Sequence, residues 1–241
     1  MMEKIVSQFA KFHTDQEIQT EIMKLLSENN DGEVKTCLET FLENWWIEIK
    51  NKVAIIFDKL ERDDYKEIFE KFVKLYFRDG FEDYWRKLLP QTTDKVIAHT
   101  DAQETNILLL KPAPSDIDKM RIVLIDYEYA GLVERSWDLA NYFIETMMSN
   151  CEYDDYPWIE LFEDNQMTAD ELATMVELYT QALVKYDASA QPDSQELLQE
   201  VKNMAIAINY YWGAWAIQII DLESINENNL YFPAARIRMR L

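Results

Sequence analysis

Glycine is scarce in this 241-residue chain: four occur, Gly32, Gly80, Gly131 and Gly213, far apart from one another. A loop that wraps a nucleotide phosphate with several glycine N–H groups is therefore excluded. Cysteine is scarcer still. Cys37 and Cys151 can build neither a disulfide framework nor a CxxC metal site, and the expected setting is reducing and cytoplasmic. No apolar run approaches the roughly 20 residues that a membrane span needs. Met1 to Lys11 lacks the basic flank and apolar stretch of a signal peptide. Positive charge is also short: 24 Lys and Arg face 45 Asp and Glu, a formal net charge of −21. Such a field repels a phosphate backbone or an anionic membrane surface and admits a small cationic substrate. Apolar residues are plentiful, 48% of the chain with 13% aromatic, enough for a sizeable core in one large domain or two small ones.

The first ninety residues read as successive helices. Ile5, Val6, Phe9 and Phe12 fall at helical spacing, and Thr14 with Glu17 predicts a capping box for the next helix. Leu38, Phe41, Leu42, Trp45, Trp46 and Ile49 form a third stripe; Ile68 to Tyr76 forms another, with Gly80 as its expected end. The texture changes at Pro90. Short apolar runs at Lys95–Ala98, Ile107–Leu110 and Arg121–Ile125 read as strands, the last two joined as a β-hairpin through Pro112, Pro114, Ser115 and Asp116. After Asp126 the chain is expected to loop through Gly131 and return to helix near Trp137. Thr168 and Glu171 predict a capping box for a helix to about Tyr186, and a long apolar helix follows from about Ser194 to Asp221. The expected architecture is mainly α with a small β-hairpin, one helical lobe over 1–241. It divides into helices over 1–90, a catalytic loop and hairpin over 95–128, and helices over 137–241.

One segment carries chemistry. His99-Thr100-Asp101-Ala102-Gln103-Glu104-Thr105-Asn106 has the pattern H-x-D-x-x-x-x-N, and Asp126 follows at the far end of the hairpin. Phosphoryl transfer to a hydroxyl needs a carboxylate beside the attacking oxygen and oxygen ligands for Mg²⁺. Asp101 is the candidate base; Asn106 and Asp126 are candidate metal ligands. Glu128, two residues on, shares a face with Asp126 if the strand stays extended and would support the metal. His99 is read as a brace for the loop. Trp212 and Trp215, three apart, project from one helix face, and aromatic faces bind quaternary ammonium groups.

From Ile125-Asp126-Tyr127-Glu128-Tyr129-Ala130-Gly131 through Trp137-Asp138-Leu139-Ala140-Asn141-Tyr142-Phe143-Ile144-Glu145, the chain resembles the choline/ethanolamine kinases. Arg135, Asp138, Asn141, Phe143 and Glu145 are in register with the family pattern, and Arg135, Asp138 and Asn141 are expected as support around the site. Trp212-Gly213-Ala214-Trp215 is similar to the family's W-G-x-W, Ala235-Arg236 to its C-terminal pair, and Phe9 to His13 to a helix end after its interlobe hinge. Phe232 stands where the family tends to place a pocket tyrosine, and Asn150 replaces an aromatic residue of the family.

The resemblance implies the large C-terminal lobe of a protein-kinase-like fold, with the small N-terminal β lobe absent. Lys52-Val53-Ala54-Ile55-Ile56 is no substitute for that lobe's lysine strand, because it lies in a helical stripe. The implied activity is transfer of phosphate from ATP, with Mg²⁺, to choline or ethanolamine, the first step of phospholipid head-group synthesis. By resemblance Tyr129, Trp212 and Trp215 line the ammonium pocket and Glu145 supplies compensating charge. Weak or absent turnover is expected of the chain alone, and a homodimer is compatible with it. Two other readings stay open: a ligand-binding or regulatory pseudokinase, and an aminoglycoside-type phosphotransferase sharing the H-x-D-x-x-x-x-N core.

Overall fold

Helix α1 (Met2–Thr14) turns Ile5, Val6, Phe9, Ala10 and Phe12 inward, as their spacing requires. The computed structural model describes residues 1–29, 31–76, 78–79, 81–90, 94–110, 120–149 and 160–226. Helix α2 (Gln16–Asn29) follows at once. The junction differs from expectation. Thr14 ends α1, its hydroxyl donating to Ala10 O at 2.7 Å, and Asp15 accepts from the Ile18 N–H at 3.2 Å in place of the expected box. Back-bonding to the preceding turn competes with N-capping for a threonine hydroxyl.

A capping box does open α3 (Cys37–Thr40): Thr36 and Glu39 exchange side-chain to backbone bonds. A π-helical turn, Phe41–Trp45, leads into α4 (Trp46–Lys59). Lys52 lies on α4, as its helical reading anticipated, and its ammonium donates to Gln218 O. Helices α5 (Asp63–Tyr76) and α6 (Phe81–Leu88) complete the first part. Gly80, the Pro112–Asp116 connection, Asn150, Cys151, Phe232, Ala235 and Arg236 lie outside the described residues.

Strands β1 (Lys95–Ala98), β2 (Ile107–Leu110) and β3 (Arg121–Leu124) form where expected, and β2 pairs antiparallel with β3, Ile107 opposite Leu124. The stretch through Gly131, expected as a loop, is instead β4 (Gly131–Glu134), antiparallel to β1 with Ala98 opposite Gly131. Gln19 of α2 covers the backbone of β1, its amide donating to Ile97 O at 2.9 Å and accepting from Ile97 N–H at 2.8 Å. One side chain thereby satisfies a strand edge as a neighbouring strand would.

Helix α7 (Trp137–Glu145) and the short pair β5 (Met148–Ser149) and β6 (Glu160–Leu161) precede α8 (Ala169–Tyr186) and α9 (Ser194–Gln218). The expected box of Thr168 and Glu171 caps α8, and Asp193 caps α9 by accepting from Gln195 and Glu196 N–H. In the core α1 packs on α8 and α7 on α9. Gly131 is a close approach: a Cβ there would collide with Cys37 Sγ on α3. Gly131→Ala is expected to cost about 1–3 kcal/mol in thermal or urea unfolding. Adding Cys37→Ala should recover most of that loss; no recovery would mean the clash lies elsewhere.

Candidate active site

The loop that follows β1 is held in an unfavourable backbone conformation. Thr100 has φ +66°, costly for a β-branched residue, and Asp126 has φ +64°. Three bonds fix Thr100 there. Its N–H donates to Asp138 Oδ1 at 2.8 Å, its O accepts from Trp137 Nε1 at 2.9 Å, and its hydroxyl donates to Tyr129 O at 2.7 Å. Residues of β4's approach and of α7 therefore pin the loop against β1.

His99 is fully buried and its partners determine its tautomer. Nε2 lies 2.7 Å from Ile125 O, which can only accept, and Nδ1 lies 3.3 Å from the Asp101 N–H, which can only donate. With both nitrogens committed to backbone, the ring braces Asp101 against the chain entering Asp126. Asn106 makes a parallel tie: its O accepts from Ile125 N–H at 3.0 Å. Its Nδ2 donates to Asp101 O at 3.0 Å and to Asp101 Oδ2 at 3.1 Å, while Gln103 Nε2 reaches the same Oδ2 at 3.3 Å. Because two acceptors hold Nδ2, Oδ1 of Asn106 faces away from Asp101.

Beneath the loop lies a buried network that spacing alone did not disclose. Asp138, fully buried, accepts from His99 N–H at 3.0 Å, Thr100 N–H at 2.8 Å and His13 Nε2 at 3.0 Å. Burial works against its charge, yet the bonds from His13 and the His99 backbone prevail and hold the carboxyl below the usual range. His13 Nδ1 lies 2.6 Å from the Tyr179 hydroxyl on α8, and Arg135 pairs bidentately with Asp94 at 2.6 and 2.8 Å. The chain's two histidines thus converge on one aspartate. That scarcity and the resemblance at Phe9 to His13 were the available signals for His13; Tyr179 carried none.

Tyr129, Trp212 and Trp215 come together edge to face. Ring centroids are 5.5 Å apart for Tyr129–Trp212, 6.1 Å for Tyr129–Trp215 and 5.4 Å for Trp212–Trp215. Trp212 is buried and its indole N–H donates to Asn141 Oδ1 at 3.0 Å; Trp215 and Tyr129 are half-buried. Glu145, one turn beyond Asn141, is buried and lines a cavity of about 440 Å³ with Ala102, Glu104, Tyr142 and Ser149; none of the three rings lines it. Glu128 is exposed in a turn. The extended geometry that would align it with Asp126 does not form, since β3 ends at Leu124 and Asp126 is left-handed.

The donors suit Mg²⁺. Asn106 Oδ1 is turned away from Asp101, and Asp126 follows Ile125, whose N–H is bonded to Asn106. These are hard oxygen ligands, and the described residues hold no cluster of three His, Cys, Asp or Glu that could hold a metal without substrate. Mg²⁺ typically uses one or two carboxylates and completes its shell with waters and substrate phosphates.

A family model described as choline/ethanolamine kinase matches residues 1–241. Choline/ethanolamine kinase of Rattus norvegicus is 26% identical over 171 residues, 69% of this chain and 42% of that protein. Ethanolamine kinase 2 of Mus musculus is 31% identical over 132 residues, 54% of this chain and 31% of that one. The chain thus spans less than half the length of these curated relatives. In fold it is similar to a Plasmodium vivax ethanolamine kinase, with TM-score 0.59 at 18% identity over 98% of this chain and 57% of that one. Choline kinase from Cryptosporidium parvum gives TM-score 0.57 at 16% identity, over 99% and 64%.

Proposed function

Since the chain belongs to the choline/ethanolamine kinase family, we propose that it carries the base, the metal ligands and the amine pocket for phosphorylation of choline or ethanolamine by ATP. Asp101 accepts the hydroxyl proton as that oxygen attacks the γ-phosphorus, and ADP leaves. Asn106 and Asp126 would hold Mg²⁺, which neutralises charge on the nucleotide phosphates. The observation that carries the reading is the orientation of Asn106, whose NH₂ steadies the Asp101 carboxylate while its carbonyl oxygen points away. His99, with both ring nitrogens bound to backbone, positions the base and takes no proton from substrate.

On the amine side, the Tyr129, Trp212 and Trp215 faces attract an ammonium group. Calorimetric titration of choline and ethanolamine into the purified chain, with and without Mg·ATP, tests this directly. Trp212 is also core, so the half-buried Trp215 is the cleaner probe. Trp215→Ala is expected to weaken choline binding about 5- to 30-fold, the loss of one desolvated ring contact. Equal affinity in the variant, or no binding of either amine, would remove the pocket from the proposal.

A further inference from the structure

On the outer side of α1, remote in sequence from the catalytic loop, lies a second cavity of about 460 Å³ whose walls reverse the charge of the molecule. Lys4 and Lys11 of α1, Arg121 of β3 and Lys185 of α8 all border it, against the single carboxylate of Glu3 among the described walls. Four cations converging from three elements is unexpected in a chain with net charge −21. Lys11, Arg121 and Lys185 are exposed and have no carboxylate ion-pair partner among the described residues.

Helix electrostatics explains half of this set. Lys11 and Lys185 lie in the last turns of α1 and α8, where a cation complements the negative end of the helix dipole. Lys4 does not fit that account: it lies in the first turn of α1, at the positive end, where a cation is disfavoured. Arg121 lies on a strand. Lys4 is held in place, since its Nζ donates to Met120 O at 3.2 Å and so ties the start of β3 to α1. Between the cations, Ser7 Oγ and the Tyr186 hydroxyl lie 3.1 Å apart, offering neutral donors at the cavity wall. Like charges facing one cavity repel, and a bound anion relieves that repulsion.

We propose that this cleft binds a small phosphate-bearing anion, held by Lys4, Lys11, Arg121 and Lys185 with the hydroxyls of Ser7 and Tyr186. Its size suits a small molecule with one or two phosphate groups, and its charge-assisted donors suit phosphate oxygens. The site involves none of the residues assigned to phosphoryl transfer, so it stands or falls apart from that reading. A free anion is favoured over a membrane lipid, because the acidic remainder of the surface repels an anionic bilayer.

Inorganic pyrophosphate, titrated by calorimetry into the 241-residue chain in EDTA at low salt, is the probe. Binding is expected, and Arg121→Gln/Lys185→Gln is expected to weaken it about tenfold or more, two charge-assisted contacts being lost. Lys24→Gln/Lys71→Gln removes the same charge from exposed lysines paired elsewhere and should leave binding unchanged. No binding, or equal loss in both double variants, overturns the proposal. Vesicles containing phosphatidylserine should not sediment the chain. Should they do so through Arg121 and Lys185 while pyrophosphate fails to bind, the ligand is a lipid head group and the free-anion assignment falls.

Discussion

Asp101→Asn is expected to slow phosphoryl transfer about 10²- to 10⁴-fold, the usual contribution of a positioned general base. Choline or ethanolamine affinity and the unfolding temperature should be unchanged. The substitution keeps an oxygen where Asn106 Nδ2 and Gln103 Nε2 donate, at 3.1 and 3.3 Å, so the loop keeps its ties. What disappears is the capacity to accept a full proton. Turnover by the chain alone is slow in this reading, so single-turnover measurement with radiolabelled ATP and excess protein is the suitable assay. An unchanged rate would deny Asp101 its role as base. Loss of amine affinity along with rate would mark it as structural. No turnover by either the wild-type chain or the variant, with amine binding kept, would leave the regulatory reading ahead of the enzymatic one.

The larger effect on stability is expected at Asp138. Asp138→Ala strands three buried donors at once, His13 Nε2 and the N–H groups of His99 and Thr100. Leaving a buried network without its charged member costs about 3–5 kcal/mol. In a domain of this size that lowers Tm by about 6–20 °C. The sign with pH follows from the depressed folded pKa. The carboxylate's contribution is fully present above the ordinary carboxylate range and is lost as pH falls through the lower folded value. The gap between wild type and variant should therefore be flat from weakly acidic to neutral pH and close only in strong acid. A gap that instead grows on acidification, or a Tm shift within about 2 °C, which is under 1 kcal/mol here, would show that the network does not support the fold. Strain adds to the case: without Asp138, Thr100 loses one of the bonds that keep its φ positive.

The sequence was most informative where geometry is local. The β2–β3 hairpin was legible because two apolar runs flank a turn-rich stretch, and its observed register confirms that pairing. The capping box at Thr168 was equally legible, since its bonds span three residues. The same reasoning failed at Thr14, where the hydroxyl bonds backward and the adjacent Asp15 takes the cap. It failed again at Gly131–Glu134, a short run with no alternation that becomes a strand only because β1 lies beside it. Glu128 was placed by assuming an extended strand beyond Ile125, an assumption undone by the left-handed turn at Asp126.

By itself, then, the sequence determined the helical class, the absence of a glycine phosphate loop, the Asp101–Asn106 spacing and the one-face placement of Trp212 and Trp215. Each of these depends on a fixed number of residues along one chain segment, which backbone geometry converts directly into a direction in space. Tertiary structure alone decided that His13, His99 and Thr100 share Asp138 and that four cations from α1, β3 and α8 face one cavity. Their partners are distant in sequence and differ in element type. No periodicity encodes such meetings; they are set when buried faces pack and each polar group enclosed by that packing must find a partner.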